Sequence, residues 1–347
     1  MKSRTIVLTG GGSGGHVIPL LAMMPDLKRD FDKIYYVGGH GIEKPLAKKA
    51  GVAYREIYTV GLDRTRFFRN IRIPFVLIRA IKETVAFFRE IKPDVVFGKG
   101  GYVSLPAIIA ARRLHIPTVC HESDLTLGLA NRIAHRLGAT ILTGFDKTAT
   151  LSRDFIYVGF PLRQELKNID KDFAVNAFKL DNAKKTLLVM GGSLGAQAIN
   201  DVLNDSLDAL LPQYNVLHVT GKNKSSITPV PGYFPIEYTD DIGALFAAAD
   251  TVVSRAGAGT LFELSYLEKP VLLIPLPKTA SRGDQIDNAL YAKEFGAKVL
   301  FQEDLTKTSF VNAVMRCTVP MRPFAPAGNN AIGRILTSFA DNHKTSL

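Results

Sequence analysis

At 347 residues the chain is too long for one ordinary core and suits two domains of about 150 residues each. Its 46% apolar and 22% charged residues exclude a disordered chain, and no apolar run approaches the roughly 20 residues that span a bilayer. Cys120 and Cys317 form no metal-ligand spacing and fit a reduced cytoplasm, while the net charge of +11 calls for an anionic partner.

The chain enters its first strand within about four residues, which leaves no room for a signal peptide. From there, short β-branched or apolar runs alternate with helical patterns. Strands are expected at 4–9, 33–37, 53–58, 94–97, 117–120, 139–142 and 155–158, and helices near 17–29, 42–50, 75–91, 104–115 and 127–137. This is the pattern of βαβ units on a parallel sheet. The first strand runs into Gly10-Gly-Gly-Ser-Gly-Gly-His16 at the mouth of a helix, where backbone N–H groups and the helix dipole can meet phosphate. It is not the dinucleotide fingerprint, and no acidic residue closes the second strand, which ends in Gly38-Gly39-His40; both features argue against an NAD enzyme. His16 sits at the carboxyl edge of the sheet, placed either as a general base or phosphate contact or as a cap of the turn. Gly98-Lys-Gly-Gly-Tyr-Val-Ser104 and His121-Glu-Ser-Asp124 follow later strands and aim further polar loops at that edge.

Residues 62–92 carry eight basic residues against three acidic ones, interleaved with Phe67, Phe68, Phe75, Phe87 and Phe88. That mixture suits an anionic membrane surface or a nucleic acid. An amphipathic helix over 75–91, with Ile78, Ile81, Val85 and Phe88 simply facing the core, is the plainer alternative. Val158-Gly-Phe-Pro-Leu-Arg163 interrupts both periodicities and reads as a hinge.

The second half restarts the alternation with strands at 186–190, 215–219, 234–238, 251–253 and 271–274. Helices are expected at 195–211, 242–248, 258–267, 284–295 and 328–341. Gly191-Gly-Ser193 opens its first helix. Ser254-Arg-Ala-Gly-Ala-Gly-Thr-Leu-Phe-Glu263 puts a carboxylate one turn inside another, where it can take a ribose diol behind a glycine-rich turn for diphosphate, or merely serve its own helix dipole. Asp284, Gln285 and Asn288 offer mixed donors and acceptors for a sugar, although Asp284 could be only a cap. Asp240-Asp241 reads as a cap before a helix. The chain has no Walker A lysine, no H-E-x-x-H and no G-x-S-x-G, and neither a metal nor a cofactor is expected.

At these residues the chain resembles the undecaprenyldiphospho-muramoylpentapeptide β-N-acetylglucosaminyltransferases of bacterial cell-wall synthesis, in their Gram-positive form. The likeness rests on residues 11–19, 100–104, His121-Glu122 with Asn131, residues 191–196, and residues 254–263 with Asp284, Gln285 and Asn288. It implies a GT-B fold: two Rossmann-like, doubly wound parallel-sheet domains facing across a cleft. Residues 1–160 would form the acceptor and membrane-docking domain, residues 161–327 the UDP-sugar domain, with a C-terminal helix at 328–347 packing back on the first. It implies transfer of N-acetylglucosamine from UDP-N-acetylglucosamine to the 4-hydroxyl of the muramoyl sugar of undecaprenyl-linked lipid I, with inversion, at the cytoplasmic face of the membrane.

By position, the resemblance gives Glu263 the ribose, Ser193 and Thr260 the diphosphate, and Arg163 the nucleotide. Thr239 and Ile242 would frame the uracil, and Asp284 and Gln285 would hold the donor sugar. His16, Tyr102, Glu122 and Asn131 would line the acceptor side, with Gly14, Gly15, Gly100 and Gly101 near the lipid diphosphate. Asp124 stands there where many members have asparagine, and the loop before Asp284 is longer than in proteobacterial members. His16 is the first choice of base and Glu122 the second. A diacylglycerol glycosyltransferase and a UDP-sugar 2-epimerase share the architecture and are the alternatives. Nothing resembles a nucleic-acid-binding module.

Overall fold

The computed structural model describes residues 3–59, 61, 72–167, 170–192, 195–222, 224, 230–239, 241–279 and 283–345. The chain forms two compact units, Met1–Arg163 with Ala325–Leu347, and Gln164–Phe324.

Unit 1 is built on a parallel sheet of β1 (Thr5–Thr9), β2 (Lys33–Gly38), β3 (Ala53–Glu56), β4 (Val95–Gly98), β5 (Thr118–Glu122), β6 (Thr140–Thr143) and β7 (Ile156–Tyr157). The strand order is β3-β2-β1-β4-β5-β6-β7. The central strands β1 and β4 are buried along their whole length. This is why they read as continuous apolar runs rather than as an alternation. Ile6 and Leu8 face one side with Leu20, Leu27 and Phe97, while Val7 faces the other with Phe88, Val96 and Ala107.

The helices are α1 (Gly14–Ala22), α2 (Met24–Asp30), α3 (Glu43–Lys49), α4 (Ile73–Ile91), α5 (Leu105–Arg113), α6 (Leu129–Arg136) and α7 (Asp146–Ala149). The single helix expected at 17–29 is divided into α1 and α2. Pro25 falls in the first turn of α2, where a missing N–H costs nothing, whereas continuing α1 through it would lose a hydrogen bond.

Unit 2 repeats the plan with β8 (Lys185–Met190), β9 (Tyr214–Val219), β10 (Tyr233–Ile236), β11 (Thr251–Ser254), β12 (Val271–Leu273) and β13 (Lys298–Val299). All pairs are parallel, in the order β10-β9-β8-β11-β12-β13. Its helices are α8 (Lys171–Ala177), α9 (Gln197–Leu210), α10 (Ile242–Ala248), α11 (Ala258–Tyr266), α12 (Asp284–Glu294) and α13 (Lys307–Met315). Neither α8 nor α13 is expected from periodicity. The start of α13 is fixed by a capping box between Thr306 and Ser309, which satisfies donors at the helix start reciprocally.

The last helix, α14 (Asn329–Thr345), belongs to unit 1. Its Ile332, Leu336 and Ala340 enter the core beside β4 and α2, and Asp341 accepts two hydrogen bonds of 2.8 Å from Arg4. The expected hinge lies against the residues that lead into α14: Phe160 bridges Ala327, and Asn329 exchanges hydrogen bonds of 2.9 and 3.0 Å with the backbone of Leu162. Gly159 has φ +78°, and a Cβ there would overlap the carbonyl of Pro326, so only glycine fits. No helix among the described residues is long and apolar enough to cross a membrane.

Each sheet reverses its winding once, between β1 and β4 in unit 1 and between β8 and β11 in unit 2. The carboxyl ends of strands at such a reversal leave a crevice in which open α/β sheets bind ligands. The glycine-rich turns after β1, β4, β8 and β11 stand at these two places.

Candidate functional site

In unit 1 the loops after β1, β4 and β5 meet. Gly14 and Gly15 begin α1, with Ser13 extended ahead of them, so their N–H groups open the helix. Gly100 and Gly101 both have positive φ, +88° and +79°. A Cβ on Gly101 would overlap the carbonyl oxygen of Gly11, and one on Gly100 would lie 3.4 Å from the Asn131 amide and 3.6 Å from the His16 ring. The two glycine turns therefore pack directly on each other, with His16 and Asn131 at the seam. Tyr102 stands over Gly12 and is partly exposed.

His16 is half-buried, and its Nδ1 lies 3.0 Å from the carbonyl oxygen of Lys99. A carbonyl can only accept, so Nδ1 carries the proton and the lone pair belongs to Nε2. That is the form a general base requires. Glu122 is committed differently. Its Oε1 accepts from the backbone N–H of Ser123 and Asp124 at 2.8 and 3.1 Å, and its Oε2 from Gly128 N–H and Asn131 Nδ2 at 2.8 and 3.0 Å. The buried carboxylate thus folds the loop after β5. Asp124, in that loop, is half-buried and receives the Thr148 hydroxyl on its carbonyl at 3.1 Å. Asn131 donates to Glu122 and to the His121 carbonyl, while its buried Oδ1 has no partner among the described residues. An unpaired buried acceptor is costly unless a ligand hydroxyl meets it.

Two residues of this cluster escape a reading from sequence. Lys99 is 2% exposed, and its Nζ lies 2.6 Å from His121 Nδ1, beside the Ser123 hydroxyl and 4.9 Å from the Phe160 ring centre. Burial pushes its amine down to about 7, against the pull of Glu122 and Asp124. Glu43 is buried beneath the first turn, accepting from Gly39 N–H at 3.0 Å and Gly12 N–H at 3.4 Å. Only the strand–lysine–glycine juxtaposition hints at the first, and nothing in the sequence hints at the second.

In unit 2, Gly191 and Gly192 leave β8; Ser193 lies outside the described residues. Gly257 is the extended N-cap of α11, so the first-turn N–H groups of that helix, Thr260 among them, point out of the sheet edge. Glu263 is buried further along α11, and the Ser254 hydroxyl at the end of β11 is buried with no partner among the described residues. Arg255 holds the next strand end, donating to the carbonyls of Ile274 and Pro275 at 3.0 and 3.2 Å and to Gln302 at 2.6 Å. Gln285 spends its carbonyl on Leu276 N–H at 3.0 Å, which leaves its amide as a donor. Asp284 is the first residue of α12, and the N-cap is Gly283. Thr239 is half-buried and Ile242 buried at the start of α10, where Asp241 caps through Ala244 N–H at 3.1 Å; Asp240 lies outside the described residues. Arg163 is half-buried at the end of the first segment of unit 1.

Of the basic stretch, residues 62–71 lie outside the described residues. On α4, Ile81 and Phe88 are buried, yet Phe75 is 73% and Ile78 52% exposed. Ile78 is therefore not a core residue. Phe75, Ile78, Arg79, Lys82 and Arg89 fall on one exposed stripe at helical spacing.

Residues 6–143 match the glycosyltransferase family 28 N-terminal domain, and residues 186–343 its C-terminal domain. A Lachnospira eligens protein named UDP-N-acetylglucosamine–N-acetylmuramyl-(pentapeptide) pyrophosphoryl-undecaprenol N-acetylglucosamine transferase is 39% identical, over 98% of this chain and 100% of its own. Among solved structures, the MurG of Acinetobacter baumannii superposes with a TM-score of 0.72 at 22% identity, covering 97% of this chain and 99% of that one. A Listeria monocytogenes protein described as a putative UDP-N-acetylglucosamine 2-epimerase gives 0.70 at 12% identity, covering 96% and 95%. The two superpositions establish a shared GT-B fold, and the sequence decides between the neighbours: the chain belongs to the UDP-N-acetylglucosamine–N-acetylmuramyl-(pentapeptide) pyrophosphoryl-undecaprenol N-acetylglucosamine transferases, within glycosyltransferase family 28.

Proposed function

We propose that this enzyme moves N-acetylglucosamine from UDP-N-acetylglucosamine to the 4-hydroxyl of the muramoyl sugar of undecaprenyl-linked lipid I, with inversion, to give lipid II. The full-length likeness to transferases of that name carries the reading. The sites at the two winding reversals support it chemically. Nε2 of His16 takes the proton of the acceptor hydroxyl, the oxygen attacks the anomeric carbon, and the bond from that carbon to UDP breaks with its electrons passing to the diphosphate. The first-turn N–H groups of α11, with Thr260 and Ser193, stabilise the departing charge without a metal. Glu263 holds the ribose, Arg163, Thr239 and Ile242 the nucleotide, and Asp284 and Gln285 the sugar. On the acceptor side Gly14, Gly15, Gly100 and Gly101 meet the lipid diphosphate, with Tyr102, Asp124 and Asn131 around the sugar. His16 takes precedence over Glu122 as base because each Glu122 oxygen already accepts two hydrogen bonds.

The acceptor is anchored in a membrane, so the enzyme docks on the anionic cytoplasmic leaflet through the stretch at 62–92. Phe75 and Ile78 insert, and each cation near the surface adds roughly 1 kcal/mol.

The test is transfer of label from radiolabelled UDP-N-acetylglucosamine to a short-chain lipid I analogue, with and without EDTA. Label in the lipid despite chelation supports donor, acceptor and metal independence together. Epimerised sugar, or UDP released without acceptor, would sink the lipid I reading and leave the fold intact.

A further inference from the structure

Lys99 is tied at both ends to titratable rings. Its carbonyl accepts from His16 Nδ1 at 3.0 Å, and its Nζ lies 2.6 Å from His121 Nδ1. His121 Nε2 lies 2.8 Å from the Gly159 carbonyl, so it must donate there and its Nδ1 must accept from the lysine. The donors therefore run one way, from His16 to Lys99 to His121 to Gly159, and a carbonyl fixes the tautomer of each ring. The lysine amine also meets the Ser123 hydroxyl and the Phe160 ring face. The charged groups facing the amine are Glu122 and Asp124 from the loop after β5, with His121 on β5 itself.

A buried amine is an expensive way to fill space, and an apolar side chain of similar volume is often neutral or stabilising at such a position. What the amine supplies here is placement. The loop that bears it has two consecutive residues at positive φ, and besides the amine it is held by Ser104 Oγ donating to the Gly101 carbonyl at 2.8 Å and by Lys99 N–H on the Thr9 carbonyl at 2.9 Å. We propose that Lys99 is a positioning residue for the transfer step: clamped between His121 and Ser123, it fixes the carbonyl that keeps the His16 lone pair on Nε2. The inference rests on His16 acting as the base.

Lys99→Met keeps the length of the side chain and removes the clamp. The Nδ1–H signature of His16 in ¹⁵N imidazole spectra should give way to a mixture of tautomers. Turnover should fall about tenfold or more, with the KM for UDP-N-acetylglucosamine held within about twofold. Ser123→Ala, which disturbs packing little, should move both readouts the same way by a smaller amount, and it carries the test if Lys99→Met does not fold. An unchanged His16 tautomer overturns the proposal, whether or not turnover falls. If the wild-type enzyme transfers no sugar, the functional reading fails, and the tautomer spectra still judge the clamp.

Discussion

His16, in the first turn of α1, and Glu122, at the end of β5, are both ionisable, and their partners give them opposite sensitivities. Glu122→Gln would turn one acceptor oxygen into a donor facing backbone N–H groups, at a cost of about 1–3 kcal/mol. Thermal unfolding and turnover should fall together. His16→Ala should cut turnover at least about a hundredfold while calorimetry finds donor binding near normal; wild-type turnover would remove it as the base. In unit 2, Glu263→Ala should weaken UDP-N-acetylglucosamine binding about tenfold or more if its carboxylate holds the ribose diol. Lys99 adds a pH dependence of known sign. Its amine titrates near 7 when folded against an ordinary 10.5, so between those values the unfolded chain binds more protons. Stability should rise as pH climbs from about 7 to about 9, and urea unfolding of Lys99→Met should lack that component of the slope. Residue types in the segments that follow strands are legible in a sequence, which is how His16 and Glu122 could be singled out, whereas Asn131, inside α6, is picked out only by the family resemblance. What each side chain touches is not, because the partners of Glu122 and Lys99 come from turns whose paths depend on tertiary packing.

At the scale of elements, the surface stripe of α4 is the informative case. Periodicity identifies the helix, and burial of Ile81 and Phe88 agrees with its apolar face. The same periodicity misassigns Ile78, since a stripe broad enough for a core can also run past the edge of the sheet it covers. Replacing Phe75 and Ile78 by serine should weaken binding to vesicles rich in anionic lipid, yet spare activity on a soluble short-chain acceptor. Equal vesicle binding would return the stripe to ordinary surface. Helices without a strong apolar period were the ones missed. The start of α13 is announced only by Thr306 and Ser309, whose capping box carries local hydrogen bonds but no hydrophobic signal.

For the molecule as a whole, the repeated alternation and the glycine turns after β1 and β8 made the doubly wound architecture readable before any coordinate. The loops at both winding reversals follow from that topology, which places the carboxyl ends of parallel strands on one edge. The sharing of this fold with a sugar epimerase shows why architecture alone stops short of a reaction. Unit 1 is also assembled from two distant stretches of chain, whereas unit 2 is one continuous stretch between them. On the ribosome, unit 2 can therefore finish folding while β4 and α2 still lack Ile332, Leu336 and Ala340 to cover them. A message cut short before α14 would release a protein whose unit 1 exposes a raw apolar face to chaperones and proteases.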